Sequence, residues 1–167
     1  MSTAAAAPAA SVGGPMSTAG ASQGANYAPS GGSAAAPAAS VGGPFRIEVY
    51  GKKNPNLPFH PAVRAGDYVY VSGQVGKDAN GTMVAGTIEE ETRATLEAIK
   101  RVLADAGCNL SDVVKVTTYL EDARDFGRYN GVFKEYFPEG RIARTTVEAR
   151  AMISTKIEID CIAYKPL

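Results

Sequence analysis

Two residues on neighbouring segments define the chemistry open to this chain. Arg144 stands in Ile142-Ala143-Arg144-Thr145-Thr146-Val147-Glu148, and Glu158 in Lys156-Ile157-Glu158-Ile159-Asp160. Both segments read as strands, so each side chain leaves a rigid element. A guanidinium is a planar, always-charged fork that matches a carboxylate bidentately. A carboxylate can accept the proton of an attacking water. Brought close together, the pair is the simplest chemistry the chain could support. The sequence has no cluster of metal-ligating residues, no phosphate-binding glycine loop and no histidine-based triad. No metal site is therefore expected.

The elements that must carry these residues follow an alternating order. Phe45 to Tyr50, Ala62 to Ala65 and Tyr68 to Ser72 read as three strands, with a turn at Gly66-Asp67. Thr87 is a good N-cap, and Glu90 three residues on completes a capping box. Ile88, Leu96, Ile99, Val102, Leu103 and Ala106 form the apolar stripe of that helix, and Gly107 stops it. Val113 to Leu120 reads as a strand with Val114, Val116, Thr118 and Leu120 on one face. Asp122 can cap a second helix, with Phe126, Tyr129, Phe133 and Phe137 as its apolar stripe and Pro138-Glu139-Gly140 as its end. Strands over Ile142 to Arg150 and Ile157 to Tyr164 complete the chain. The order β-β-β-α-β-α-β-β predicts an α+β, two-layer domain with a mixed sheet and two helices on one face. The other face then needs a partner, and self-association of sheets is the simplest one.

This domain is expected over 45–167 of the 167 residues. Residues 1–44 contain no Lys, Arg, Asp or Glu and are nearly all Ala, Gly, Ser, Thr and Pro. Ala5 to Pro15 recurs word for word as Ala34 to Pro44. Such a segment has too little apolar side chain to offset its ordering entropy, so a flexible leader is expected. It lacks the basic and apolar regions of a secretory signal and the arginines of a transit peptide. No window approaches the apolar length of a membrane span.

Seventeen Lys plus Arg balance seventeen Asp plus Glu. A near-neutral domain is a poor general binder of nucleic acid. Cys108 and Cys161 make neither a zinc site nor a disulfide scaffold, which suits a reducing, cytoplasmic setting. Cys161 alternates with apolar residues and reads as core. His60 is the single histidine and sits in a proline-flanked loop, where a structural or solvated role is usual.

These segments carry a resemblance. Phe59-His60-Pro61-Ala62-Val63-Arg64-Ala65-Gly66-Asp67, followed by Tyr70-Val71-Ser72-Gly73-Gln74, resembles the opening signature of the Rid family, also called YjgF-like. The similarity continues through Asp125-Phe126, Tyr129-Asn130, Ala143 to Glu148 and Lys156 to Ile159, and covers about Leu57 to Pro166. The resemblance implies a homotrimer whose sheets form a central barrel, with sites in clefts between subunits. It implies hydrolysis of 2-imino acids to 2-keto acids and ammonia without a cofactor. Such imines form from enamines like 2-aminoacrylate that pyridoxal-phosphate enzymes release.

By the same resemblance, Arg144 matches the carboxylate-binding arginine, and Glu158, Ser72 and Asn130 match the family's glutamate, serine and asparagine. Glu158 and Ser72 are thus catalytic candidates. Arg144, Asn130, Phe59, Thr146 and Gly73 are substrate-binding candidates. Two positions depart from the pattern. Phe59 stands where a tyrosine is common, and Thr146 where a cysteine is frequent. The bland alternatives are an ion pair for Arg144, a solvated strand position for Glu158, a turn contact for Ser72 and a helix brace for Asn130. Rival functions are a more specific deaminase of the aminomuconate type, a non-catalytic ligand-binding or regulatory module, and a ribonuclease or translation inhibitor.

A chain beginning near Phe45 should keep the oligomeric state and thermal midpoint of the full chain. Size-exclusion chromatography and calorimetry check this, and a large fall in either would show that the leader packs onto the domain.

Overall fold

Arg144 and Glu158 lie on two strands of one six-stranded sheet. The computed structural model of the protein describes residues 47–167. The leader expected over 1–44, with Phe45 and Arg46, lies outside the described residues. The elements are β1 (Ile47–Tyr50), β2 (Ala62–Ala65), β3 (Tyr68–Val75), α1 (Ile88–Asp105), β4 (Val113–Leu120), α2 (Phe126–Tyr136), β5 (Ala143–Glu148) and β6 (Ile157–Tyr164). The sheet order is β1-β2-β3-β6-β4-β5. Among these described strands only β4 and β5 pair in parallel; every other pairing is antiparallel. The expected mixed sheet with two helices is therefore found.

The helices cover one face. Ile88, Leu96, Ile99, Leu103 and Ala106 of the expected stripe are buried against Val69, Val71, Val116, Ile157, Ile159 and Cys161 of the sheet. The α1 capping box is complete: Thr87 accepts from Glu90 N, and the Glu90 carboxylate accepts from Thr87 N. Gly107 follows the helix at φ +71°, a conformation that relieves the last turn. Tyr129 of α2 is fully buried, and its hydroxyl hydrogen-bonds Thr118 Oγ1 at 2.8 Å.

Three expectations are corrected. Val114 is exposed rather than on the buried face of β4, because the register shifts between Val113 and Lys115. That bulge puts Val113 and Val116 on the same side. Asp122 caps a 3-10 turn over Ala123–Asp125 rather than α2 itself, and α2 starts directly after it. The strand expected to end at Ser72 runs on to Val75 through a second irregularity between Val71 and Gln74. There Ser72 and Gly73 together oppose Asp160 alone, as in a β-bulge.

Candidate active site

Each half of the site begins with the strand register. Arg144 pairs with Val116 and Thr146 with Thr118, both buried beneath the helices. Arg144 and Thr146 therefore face α2. Glu158 pairs with Tyr119, the neighbour of Thr118, so it points through the opposite, open face. Within one chain the sheet separates the two residues that the sequence offered as a pair.

On the helix side, Arg144 Nη2 donates to Asn130 Oδ1 at 2.9 Å. Its guanidinium lies 4.6 Å from the ring centre of Phe133, 5.2 Å from Tyr129 and 5.8 Å from Phe126. The rings limit its hydration and Asn130 fixes its plane, leaving the other donors of the fork for an anion. The concavity here holds about 250 Å³ and is lined by Asn130, Phe133, Lys134, Phe137, Ile142 and Arg144. Thr146 Oγ1 is buried beside the Tyr129 phenol without hydrogen-bond geometry to any partner. The aromatic tray was hidden in the sequence as a core stripe. The exposure of Phe126 within that stripe is the one sign that part of it serves a surface.

On the open side, the Glu158 carboxylate lies against Gly73. A Cβ built on Gly73 would sit 2.0 Å from Glu158 Oε1, so only glycine admits the carboxylate here. Burial raises the Glu158 carboxyl above the ordinary range, and Asp160 adds repulsion in the same direction. Asp160 in turn accepts from the Tyr119 hydroxyl at 3.1 Å. This concavity holds about 240 Å³, and Tyr119, Arg150, Met152 and Asp160 join Gly73 and Glu158 in lining it. The sequence reading did not single out these four. Each concavity alone is smaller than the roughly 300 Å³ at which ligand pockets begin.

The remaining candidates are placed as follows. Ser72 Oγ donates to the His60 carbonyl at 2.8 Å and Ser72 N to the Pro61 carbonyl at 2.9 Å, so the serine ties the bulge to the preceding loop. Phe59 is exposed and lines neither concavity. Cys161 is buried, and its thiol is pushed up to about 12, first by burial. Another concavity of about 240 Å³, between Leu110, Val113, Tyr136 and Ile142, has Glu139 and Arg141 at its rim, ion-paired to each other at 2.9 Å. Among the described residues no group of three or more His, Cys, Asp or Glu is arranged to hold a metal. None of their helices is long and apolar enough to cross a membrane.

A family model described as endoribonuclease L-PSP matches residues 52–165. The chain belongs to that family. It is 44% identical over 121 residues to a RutC family protein of Pyrococcus abyssi, covering 70% of this chain and 95% of the relative. It is 45% identical over 111 residues to the Schizosaccharomyces pombe protein mmf2, named as mitochondrial, covering 64% and 86%. It is 37% identical over 110 residues to the mouse protein named 2-iminobutanoate/2-iminopropanoate deaminase, covering 65% and 82%. Among solved structures, RidA from an Antarctic Psychrobacter superposes with a TM-score of 0.65 at 30% identity, covering 70% of this chain and 98% of that one. Proteins of this family thus include named imine deaminases, and the sequence resemblance to Rid proteins holds.

Gly73→Ala should leave the fold intact, because the clash is with the mobile end of Glu158 rather than with backbone. A crystal structure of the variant should show the carboxylate swung out of its seat. An unmoved Glu158 carboxylate in the Gly73→Ala variant would contradict this account of the glycine.

Proposed function

We propose that the protein hydrolyses small 2-imino acids to 2-keto acids and ammonia, at a site completed between subunits of a homotrimer. The observation that carries the reading is the oriented guanidinium of Arg144, with donors to spare in an aromatic tray. The deaminase name of a relative at 37% identity supports the choice of imine. A protonated imine is already electrophilic, so its hydrolysis needs positioning more than activation. Arg144 grips the substrate carboxylate and Asn130 holds the fork in plane. Phe133 and Ile142 bound the small side chain.

Glu158 of a neighbouring subunit takes the proton from water as it attacks the protonated imine carbon and hands it to the amine of the tetrahedral adduct. The C–N bond then breaks to release ammonia, and the adduct hydroxyl gives up its proton to solvent as it becomes the keto oxygen. A carboxylate raised by burial is a better base near neutrality than an exposed one. Ser72 shapes the bulge, and Gly73 gives Glu158 its seat. Thr146 supplies a hydroxyl facing the Arg144 side. Phe59 reaches a site only if a second chain covers its loop. The exposed side chains of Tyr68, Tyr70, Val147 and Tyr164 suit burial in a barrel of three sheets. The family model's name points to RNA, but equal numbers of acidic and basic groups and one loop histidine favour a small substrate. The two buried thiols, free of a disulfide, suit a reducing compartment such as the cytoplasm.

Purified protein should accelerate keto-acid release from freshly generated 2-iminopropionate, and no acceleration with any of several imines would reject the reading. Arg144→Lys should raise KM sharply, because lysine keeps the charge and loses the fork. Glu158→Gln should lower kcat by about a hundredfold or more with a smaller change in KM. Wild-type activity should fall as pH drops through the raised pKa of Glu158, above the range of an ordinary glutamate. An acid limb at the ordinary value, or wild-type turnover in Glu158→Gln, would remove Glu158 as the base.

A further inference from the structure

Glu91 lies in the first turn of α1 and is 3% exposed. It is not needed for capping, which Thr87 and Glu90 complete between them. A carboxylate buried this far is unfavourable unless its lone pairs are filled. Here they are filled from three places. Oε2 accepts from Lys156 N at 2.7 Å and Thr155 Oγ1 at 3.1 Å. Oε1 accepts from Lys156 Nζ and Gly86 N, both at 3.2 Å. Burial pushes the Glu91 carboxyl up, but these donors outweigh it, and the group stays below the ordinary range.

Two other contacts converge on the same point. The Lys156 carbonyl accepts from Glu121 N at 2.9 Å, so the residue that enters β6 is held from both sides. The end of β3 also closes on α1, since a Cβ on Gly76 would lie 3.1 Å from the Glu91 carbonyl oxygen. Lys156 is two residues before Glu158, and Gly76 is three after Gly73, where Glu158 is seated. The Lys156 side chain is 42% exposed, so the ion pair itself adds little to stability. What an apolar residue cannot supply is the directional grip on Lys156.

We propose that Glu91 is a positioning residue for Glu158. By fixing the start of β6 from the helix side, it sets where the Glu158 carboxylate sits on the open side. The proposal rests on the reading of Glu158 as the base. Within one chain the groups that face Glu158 are Asp160 on β6, Tyr119 on β4 and Arg150 on the loop after β5, with Gly73 offering only backbone. In the proposed trimer a neighbouring Arg144 joins them in the wild type and the variants alike. A shift of β6 changes the burial of Glu158 and its distance from Tyr119 and Arg150 together.

Glu91→Gln keeps the shape but turns one acceptor pair into a donor facing donors. In the full-length oligomer, carboxyl carbon NMR with labelled glutamate, assigned with Glu158→Gln, reads the Glu158 titration directly. The Glu158 midpoint should move down toward the ordinary carboxylate range in Glu91→Gln. Turnover of 2-iminopropionate should fall on the order of tenfold to a hundredfold with KM nearly unchanged. That loss should vanish in a Glu158→Gln background. Thr155→Val removes a hydroxyl shared between the same carboxylate and the Ile157 backbone of β6, and should shift both readouts less, which keeps the test open should Glu91→Gln not fold. An unmoved Glu158 midpoint, or an equal loss with and without Glu158, would overturn the proposal, even if the variant melts earlier. A wild-type protein inactive on imines would reject the deaminase reading instead, and the NMR midpoint would still decide the role of Glu91.

Discussion

A β-strand turns successive side chains to opposite faces, and this period of two governs where the protein can do chemistry. Arg144 shares a register with Val116 and Thr146 with Thr118, so both lie beneath α2. Glu158 shares one with Tyr119 and leaves through the open face. No side-chain rotation carries either residue across a hydrogen-bonded sheet. The anchor and the candidate base therefore meet only if another chain brings a Glu158 to the Arg144 side. The apolar and aromatic side chains left exposed on the sheet give such an assembly a driving force.

Each half is prepared locally. Asn130 and three rings of α2 hold the Arg144 fork, and Tyr129 among them is anchored by its buried hydrogen bond to Thr118. The bulge at Ser72-Gly73 clears space for the Glu158 carboxylate, and Ser72 ties that bulge to the His60 loop. Both halves are thus mounted on strands and helices rather than on mobile loops, which is what positioning catalysis requires.

Local signals in the sequence carried most of the fold. The Thr87–Glu90 box, the α1 stripe and the alternating strands depend on near neighbours and were legible. Val114 was misplaced because a bulge breaks the period of two without any Gly or Pro to mark it. β3 looked complete at Ser72 because Gly73 usually weakens a strand, whereas here it makes room for a side chain from β6. The site residues were visible as types and motifs. Their separation onto two faces was not, because it depends on the pairing of β4 with both β5 and β6. The grip of Glu91 on Lys156 spans 65 positions and leaves no periodic trace.

Subunit complementation tests the central claim most directly. Arg144→Ala and Glu158→Gln chains are each expected to be inactive alone. Co-expressed in equal amounts, they should form mixed trimers in which some interfaces join an intact Arg144 to an intact Glu158 from different chains. Random mixing then restores about a quarter of wild-type imine hydrolysis per chain. Mixed oligomers, verified by mass spectrometry, that stay as inactive as the parents would contradict a site shared between subunits.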